Sequence, residues 1–394
     1  MNKLFALPVV CVLLVASFAF FVPPANENSL KADCYFGISF CGNTAEEAKL
    51  LIDRVKDYTN LFVLQSGPVS ENETATNEIC QYAIDAGLDI VVYFGDLNPR
   101  VLQRKLEVDG KDVVWRTSWI NTATEKYGDS LLGVYYYDES GGIWLDKIQE
   151  SNTSRFIDPD YDSLAELFTA FLPRDLGYQG LRNNSINVFA SDYALYWFDY
   201  KMGYDTIFAQ IGWNHTTEQD IGLIRGAATL QNESWGTIIT WKYNEAPYLD
   251  TAENIYNQMK LSYESGADYI VVFNYPTYPE DNLYGIMTDA HFDAMKQFWN
   301  NYVTNNNVAK GETQAEAVLV LPQNYGWGMR SLNDTIWGLF GPDEKSEQIW
   351  TISRQLLEHY GTALDIVYDD PEYPIPEGLY EKVYYWNQTS TSIP

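Results

Sequence analysis

The sequence predicts an α/β protein built on a closed (β/α)8 barrel, the TIM-barrel architecture, over residues 34–303. Eight short runs rich in Val, Ile, Tyr and Phe alternate with helical patterns at a regular pace. Several of these runs are apolar on both faces, as strands covered by helices are. No dinucleotide- or phosphate-binding glycine signature accompanies them, which sets a doubly wound sheet behind the barrel.

The strands are expected at 35–40, 61–65, 89–94, 132–137, 187–190, 206–211, 237–241 and 269–274. Between them the first helix, 44–58, opens with Thr44 and carries Glu47 three residues on, the pattern of a capping box. Helices at 73–86 and 118–127 stop at Gly87 and Gly128, the residue type favoured just past a helix end. Further helices are expected at 160–171, 193–202, 218–230, 252–265 and 289–303. The polar stretch 304–315 reads as a linker. Region 316–386 then gives strands at 317–321, 364–368 and 382–386 and a helix at 345–360, a small partial α/β C-terminal layer expected to pack against the barrel. Residues 387–394 form a polar tail.

The ends and the totals bear on location and partners. Residues 1–25 combine a short positive start with an apolar run, 4–22, of about 19 residues, a length shared by secretory signals and membrane anchors. Sequons at Asn72, Asn152, Asn183, Asn214, Asn232, Asn333 and Asn387 agree with export, so an extracellular or cell-surface protein, glycosylated and either released or anchored through residues 4–22, is expected. Beyond the leader three cysteines remain. Cys34 and Cys41 bracket an extended strand and stand too far apart to bridge, which makes Cys41–Cys80 the pair to expect. The net charge of -29, from 54 acidic against 25 basic residues, excludes nucleic acid as a partner, because that affinity rests on Lys and Arg neutralising phosphates. Solubility accounts for the acidity; nothing local in the sequence points to an acidic cleft for a cationic substrate.

In such a barrel the chemistry sits at the C-terminal ends of the strands. Those ends carry carboxylates, amides and aromatic rings. Strand four runs into Tyr137-Asp138-Glu139, strand five into Asp192, strand six into Gln210 and Trp213, strand seven into Trp241 and Lys242, and strand eight into Asn274 and Tyr275. Cleaving a glycosidic bond needs two carboxyl groups, while amides bond sugar hydroxyls and rings stack on sugar faces. The three histidines, His215, His291 and His359, have no metal-ligand spacing, and neither a G-x-S-x-G elbow nor a P-loop is present, so no metal and no cofactor is expected. Glu139, after three tyrosines, is the expected general acid, its carboxyl raised by apolar surroundings. The second carboxylate is left open between Asp192, Asp138 and Asp96. Tyr137, Gln210, Trp213, Trp241, Lys242, Asn274 and Tyr275 are the expected substrate contacts, and 143–158, with Trp144, is the segment placed to cover a cleft.

The runs Gly133-Val-Tyr-Tyr-Tyr-Asp-Glu-Ser-Gly-Gly142 and Ala267-Asp-Tyr-Ile-Val-Val-Phe-Asn-Tyr-Pro276 resemble those of secreted (β/α)8-barrel glycoside hydrolases, particularly archaeal-type glycosidase-like barrels. The C-terminal layer is similar to the amidotransferase-like layer that follows some galactosidase barrels, though shorter. The resemblance implies carbohydrate as the partner, and in the large retaining clan it would place the nucleophile at Glu245. That clan carries Asn-Glu at strand four, where this chain has Asp138-Glu139. A non-catalytic carbohydrate-binding or cell-surface barrel is the alternative expectation.

Overall fold

Val, Ile, Phe and Tyr suit a pleated surface covered on both sides, and the apolar runs become strands. A computed structural model describes residues 33–148, 159–213, 216–276, 282–312 and 314–388. Its strands are β1 (Tyr35–Phe40), β2 (Leu61–Leu64), β3 (Asp89–Phe94), β4 (Leu131–Tyr136), β5 (Val188–Asp192), β6 (Thr206–Ile211), β7 (Ser234–Ile239) and β8 (Tyr269–Val272). These pair in parallel in chain order, and β8 closes onto β1 with Gly37 opposite Val271. The molecule is therefore a closed (β/α)8 barrel.

Helices cover the outside: α1 (Ala45–Val55), α2 (Gly67–Ser70), α3 (Glu73–Asp85), α4 (Pro99–Asp109), α5 (Trp115–Tyr127), α6 (Ser140–Lys147) and α7 (Tyr161–Thr169). They continue with α8 (Phe171–Arg174), α9 (Leu176–Asn183), α10 (Tyr196–Met202), α11 (Thr217–Gln231), α12 (Ala252–Glu264) and α13 (Asp289–Phe298). Helix α1 begins with the expected capping box of Thr44 and Glu47 and buries Ala48, Leu51, Ile52 and Val55. Each large apolar side chain so buried contributes about 1.5–3 kcal/mol.

Several elements differ from expectation, among them β7, α4, α9 and the segment after β4. Strand β7 starts at Ser234, because Ser234, Trp235 and Gly236 extend the pairing with β6, so Trp241 and Lys242 fall beyond the strand. Helix α4 is not among the expected helices; Asn98 caps it, Pro99 takes its first position and Leu102 is its one buried residue. Residues 140–147 form a helix rather than a glycine-loosened turn, and the rest of the segment expected over the cleft, 149–158, lies outside the described residues.

The disulfide expectation is corrected: Cys34, Cys41 and Cys80 are all free thiols. Cys80 lies on the buried face of α3, where burial pushes its thiol up to about 12, while Cys41 faces the mouth of the barrel. The leader, the sequons at Asn152 and Asn214 and the residues after 388 lie outside the described residues. Among the described residues no helix is long and apolar enough to cross a membrane.

From Asp33 onward the chain forms one compact unit. Its C-terminal part adds β9 (Ala317–Leu321), α14 (Glu344–Tyr360), β10 (Leu364–Tyr368) and β11 (Lys382–Tyr385), a three-stranded parallel sheet in the order β10-β9-β11. This sheet docks against α11. A Cβ on Gly222 would stand 2.5 Å from the Leu364 carbonyl oxygen, so only glycine lets helix and strand approach this closely. Beside it Arg225 Nε donates to Asp365 Oδ1 at 2.8 Å, with both side chains buried, and Tyr380 donates to Asp365 Oδ2 at 2.8 Å.

Removing one partner leaves the other charge buried without compensation. Asp365→Ala is therefore expected to cost about 3–5 kcal/mol of unfolding free energy in urea denaturation, and a cost under about 1 kcal/mol would show that this pair does not clamp the layer to the barrel.

Candidate active site

The strand ends converge on a cleft of about 340 Å³ at the C-terminal mouth of the barrel. Strand β4 delivers its two acids. The chain leaves the strand at Tyr136, then passes through left-handed backbone at Tyr137 (φ 60°) and again at Glu139 (φ 53°) before α6 begins. Neither residue is a glycine, and each left-handed position costs roughly 1–2 kcal/mol. Bonds from the next strand hold this turn in place. The Glu139 N–H donates to the Ser191 carbonyl at 2.9 Å, and Asp192 accepts the N–H groups of Gly141 at 2.6 Å and Gly142 at 2.9 Å. Both glycines are needed for closeness rather than freedom: a Cβ on Gly142 would overlap the Tyr193 ring, and one on Gly141 would lie 2.5 Å from the Ala194 carbonyl.

Around the acids the polar atoms form one network. The Tyr135 hydroxyl donates to Asp138 Oδ1 and accepts from Gln65 Nε2 at 3.2 Å and from the Ser191 N–H at 3.0 Å. Ser191 Oγ, 2.7 Å from the Tyr135 oxygen, donates to Asp138 Oδ1 at 3.1 Å. Gln210 Nε2 reaches both Ser191 Oγ at 3.0 Å and Glu139 Oε1 at 2.7 Å. Asp138 shows part of its surface to the cleft while its carboxyl group sits deep in this network. Burial first, and the Glu139 carboxylate second, push it up to about 7, against the pull of the Tyr135 and Ser191 hydrogen bonds. Burial, and then the same Asp138 charge, raise the Tyr135 hydroxyl well above its ordinary value.

The expected site residues separate into three groups. Asp138, Glu139, Gln210, Trp241 and Tyr275 line this cleft together, with the Trp241 ring 5.3 Å from Phe273 and 5.5 Å from Tyr275. Tyr137 turns the other way, against Tyr136 and Phe171, and lines a separate apolar pocket with Trp144 and Phe168. Trp213 lies beside Trp241 but outside the lining, its N–H bonded to the Trp241 carbonyl at 3.0 Å. Lys242 pairs with Asp250 at 2.8 Å, and buried Asn274 donates to the Tyr284 carbonyl at 2.7 Å.

None of the other candidate carboxylates lines the cleft. Asp192 is buried and accepts four backbone N–H groups, from Gly141, Gly142, Tyr193 and Ala194, so it serves as the N-terminal anchor of α6. Behind it lies Asp199, fully buried. Burial raises both carboxyls, and the Asp192 charge beside it adds to the rise at Asp199. Glu245 is exposed in the turn after β7, where its carbonyl accepts the Tyr248 N–H. Asp96 caps the Asn98 N–H at 2.9 Å and does not line the cleft. Among the described residues no carboxylate other than Asp138 and Glu139 lines it.

The sequence alone gives no sign of Tyr93 or Thr240, and it assigns Tyr135, Gln65, Ser191 and Cys41 no role. Strand parity carries the missing signal. Tyr93 and Tyr135 are register partners in β3 and β4, so both point into the same mouth, their rings 5.7 Å apart. Among the described residues no group of His, Cys, Asp and Glu is arranged to hold a metal ion.

No family model matches the chain, and no curated protein does. Solved structures with some similarity include a thermostable mutant of a xylanase from Cellvibrio japonicus, 10% identical over 68% of this chain and 98% of that chain, with a TM-score of 0.39. An endoglucanase is 10% identical over 67% of this chain and 97% of its own, with a TM-score of 0.40. A 3-hexulose-6-phosphate synthase is 10% identical over 68% and 98%, with a TM-score of 0.33. At these values no function follows from the likeness.

The raised Asp138 carboxyl has a consequence for stability. The folded protein holds a proton that the unfolded chain releases, so this group lowers stability as pH rises from about 4 to about 7 and its full penalty stands above that. Asp138→Asn is expected to raise unfolding free energy at pH 8 by on the order of 2 kcal/mol, with the gain vanishing towards pH ~4. Denaturation at the two pH values checks it; a loss of stability at pH 8 would contradict the assignment.

Proposed function

We propose that this protein is an extracellular glycoside hydrolase acting at the barrel mouth. The observation that carries the reading is the Asp138–Glu139 pair, lining one cleft with aromatic walls, with burial holding a proton on Asp138 near neutral pH. Asp138 donates that proton to the leaving glycosidic oxygen as the bond to the anomeric carbon breaks. Glu139, fixed by Gln210, presents its carboxylate to the positive charge developing there and takes a proton from the attacking water. The roles are thus the reverse of those expected from the sequence, because the deeper of the two acids is the one that burial perturbs. Trp241, Phe273 and Tyr275 supply ring faces for the apolar side of a sugar. The leader and the sequons support export.

The second reading is a barrel that binds carbohydrate without cleaving it. One observation favours it: both acids spring from a single strand end, and no described lining residue offers a carboxylate from another strand.

Turnover of a panel of aryl glycosides and polysaccharides separates the two. Under the hydrolase reading Glu139→Gln lowers kcat by about 10²–10⁴-fold and leaves binding of neutral sugars in place. In the wild type kcat/KM falls as pH rises through about 7, since the active form carries the Asp138 proton. Sugar binding without turnover of any panel member establishes the second reading, and an unchanged rate in Glu139→Gln removes that residue from the reaction.

A further inference from the structure

We infer that the sugar recognised by this cleft is an amino sugar bearing a protonated amine. This deepens the hydrolase reading and rests on it, through the hydrogen-bonding and charge inventory of the lining.

The charges come first. Asp138 and Glu139 line the cleft, and among the described residues no Lys, Arg or His does. The cations nearby are already engaged. Lys242 is paired with Asp250 at 2.8 Å, and Arg116 is bonded to the carbonyls of Ser70 at 2.9 Å and Asp96 at 3.1 Å. No cation in the described lining would answer a carboxylate or a phosphate on the ligand.

The uncharged polar groups point the same way. Gln65 and Gln210 both line the cleft, and each turns its amide nitrogen towards the protein, Gln65 to Tyr135 and Gln210 to Ser191 and Glu139. Gln65 Oε1 is buried with no partner, and so is Thr240 Oγ1 on a side chain only 5% exposed. Buried oxygens without partners are costly, and here two of them border the same space as the two acids. Beside the hydroxyl and indole donors of the lining stand these two unpartnered oxygens and a carboxylate that no cation of the lining answers. A neutral sugar hydroxyl brings one donor and asks for donors in return. An ammonium group brings three donors, asks for none, and carries the charge that Glu139 lacks a partner for in the protein. The Trp241 and Tyr275 faces suit a sugar ring and a cation equally.

The test is calorimetric binding to the full chain, using monosaccharides that have no bond to cleave. Glucosamine, glucose and glucuronate are compared, with the galacto-configured set in parallel and spermidine as an amine without a sugar. In at least one configuration the amino sugar is expected to bind about tenfold tighter than its neutral counterpart, the scale of one charge-assisted contact in a partly buried site, and the uronate not to bind. Glu139→Gln should bring amino and neutral sugars to equal affinity. Independently of any variant, added salt should shrink the wild-type preference for the amine while leaving glucose unaffected. A neutral sugar binding as tightly as the amino sugar, or better, overturns the inference and leaves the hydrolase reading standing. Spermidine matching the amino sugar overturns it too, since the site would then read the amine alone. Failure of every sugar to bind, alongside failure of the aryl glycoside panel, overturns both.

Discussion

Everything at the mouth of this barrel depends on keeping one carboxyl group, that of Asp138, out of water. A buried carboxylate needs donors, and Tyr135 and Ser191 both supply them to the same oxygen. Those two residues are in turn held by Gln65 and Gln210, so side chains from β2, β4, β5 and β6 or their ends are tied into one network. The barrel makes this possible because parallel strands closing on themselves bring their C-terminal ends to one place. The result is a proton held near neutral pH next to a second acid, an arrangement suited to acid chemistry at physiological pH.

The surrounding structure makes that geometry rigid. Two left-handed residues flank Asp138, and they persist because α6 is anchored from its first turn by Asp192. Behind Asp192, burial and the Asp192 charge raise the Asp199 carboxyl, which disfavours a second buried charge there. The C-terminal layer grips the same helix. Arg330 bonds Asp146 on α6 at 2.8 Å and is itself held by Asp334, while Tyr193 donates to Asp146 at 2.7 Å. The layer after the barrel thus bears on the helix that follows Glu139 directly.

Much of the fold is legible in the sequence because it is local. Apolar runs, a capping box and a helix-stop glycine mark β1, β3, β6, α3 and the start of α1 to within a residue. What is not legible arises between segments. Asp192 reads as a strand-end acid facing substrate, yet the backbone it meets is fifty residues earlier in the chain, at Gly141 and Gly142. Helix α4 buries only Leu102, so tertiary packing adds little to mark it. Tyr135 looks like one more strand aromatic, and only its inward parity, shared with Tyr93, distinguishes it from Tyr136, whose hydroxyl bonds Asp175. The choice between Asp138 and Glu139 as proton carrier is a matter of depth, which adjacent residues in a sequence cannot display.

The central claim is that burial at the barrel mouth leaves Asp138 protonated near neutral pH. Carbon-13 observation of its side-chain carboxyl across a pH titration of the full chain measures this directly, with Asp138→Asn identifying the resonance. A midpoint near 7 is predicted. A midpoint at the ordinary aspartate value of about 4 would contradict it, and with it the acid role assigned to this residue.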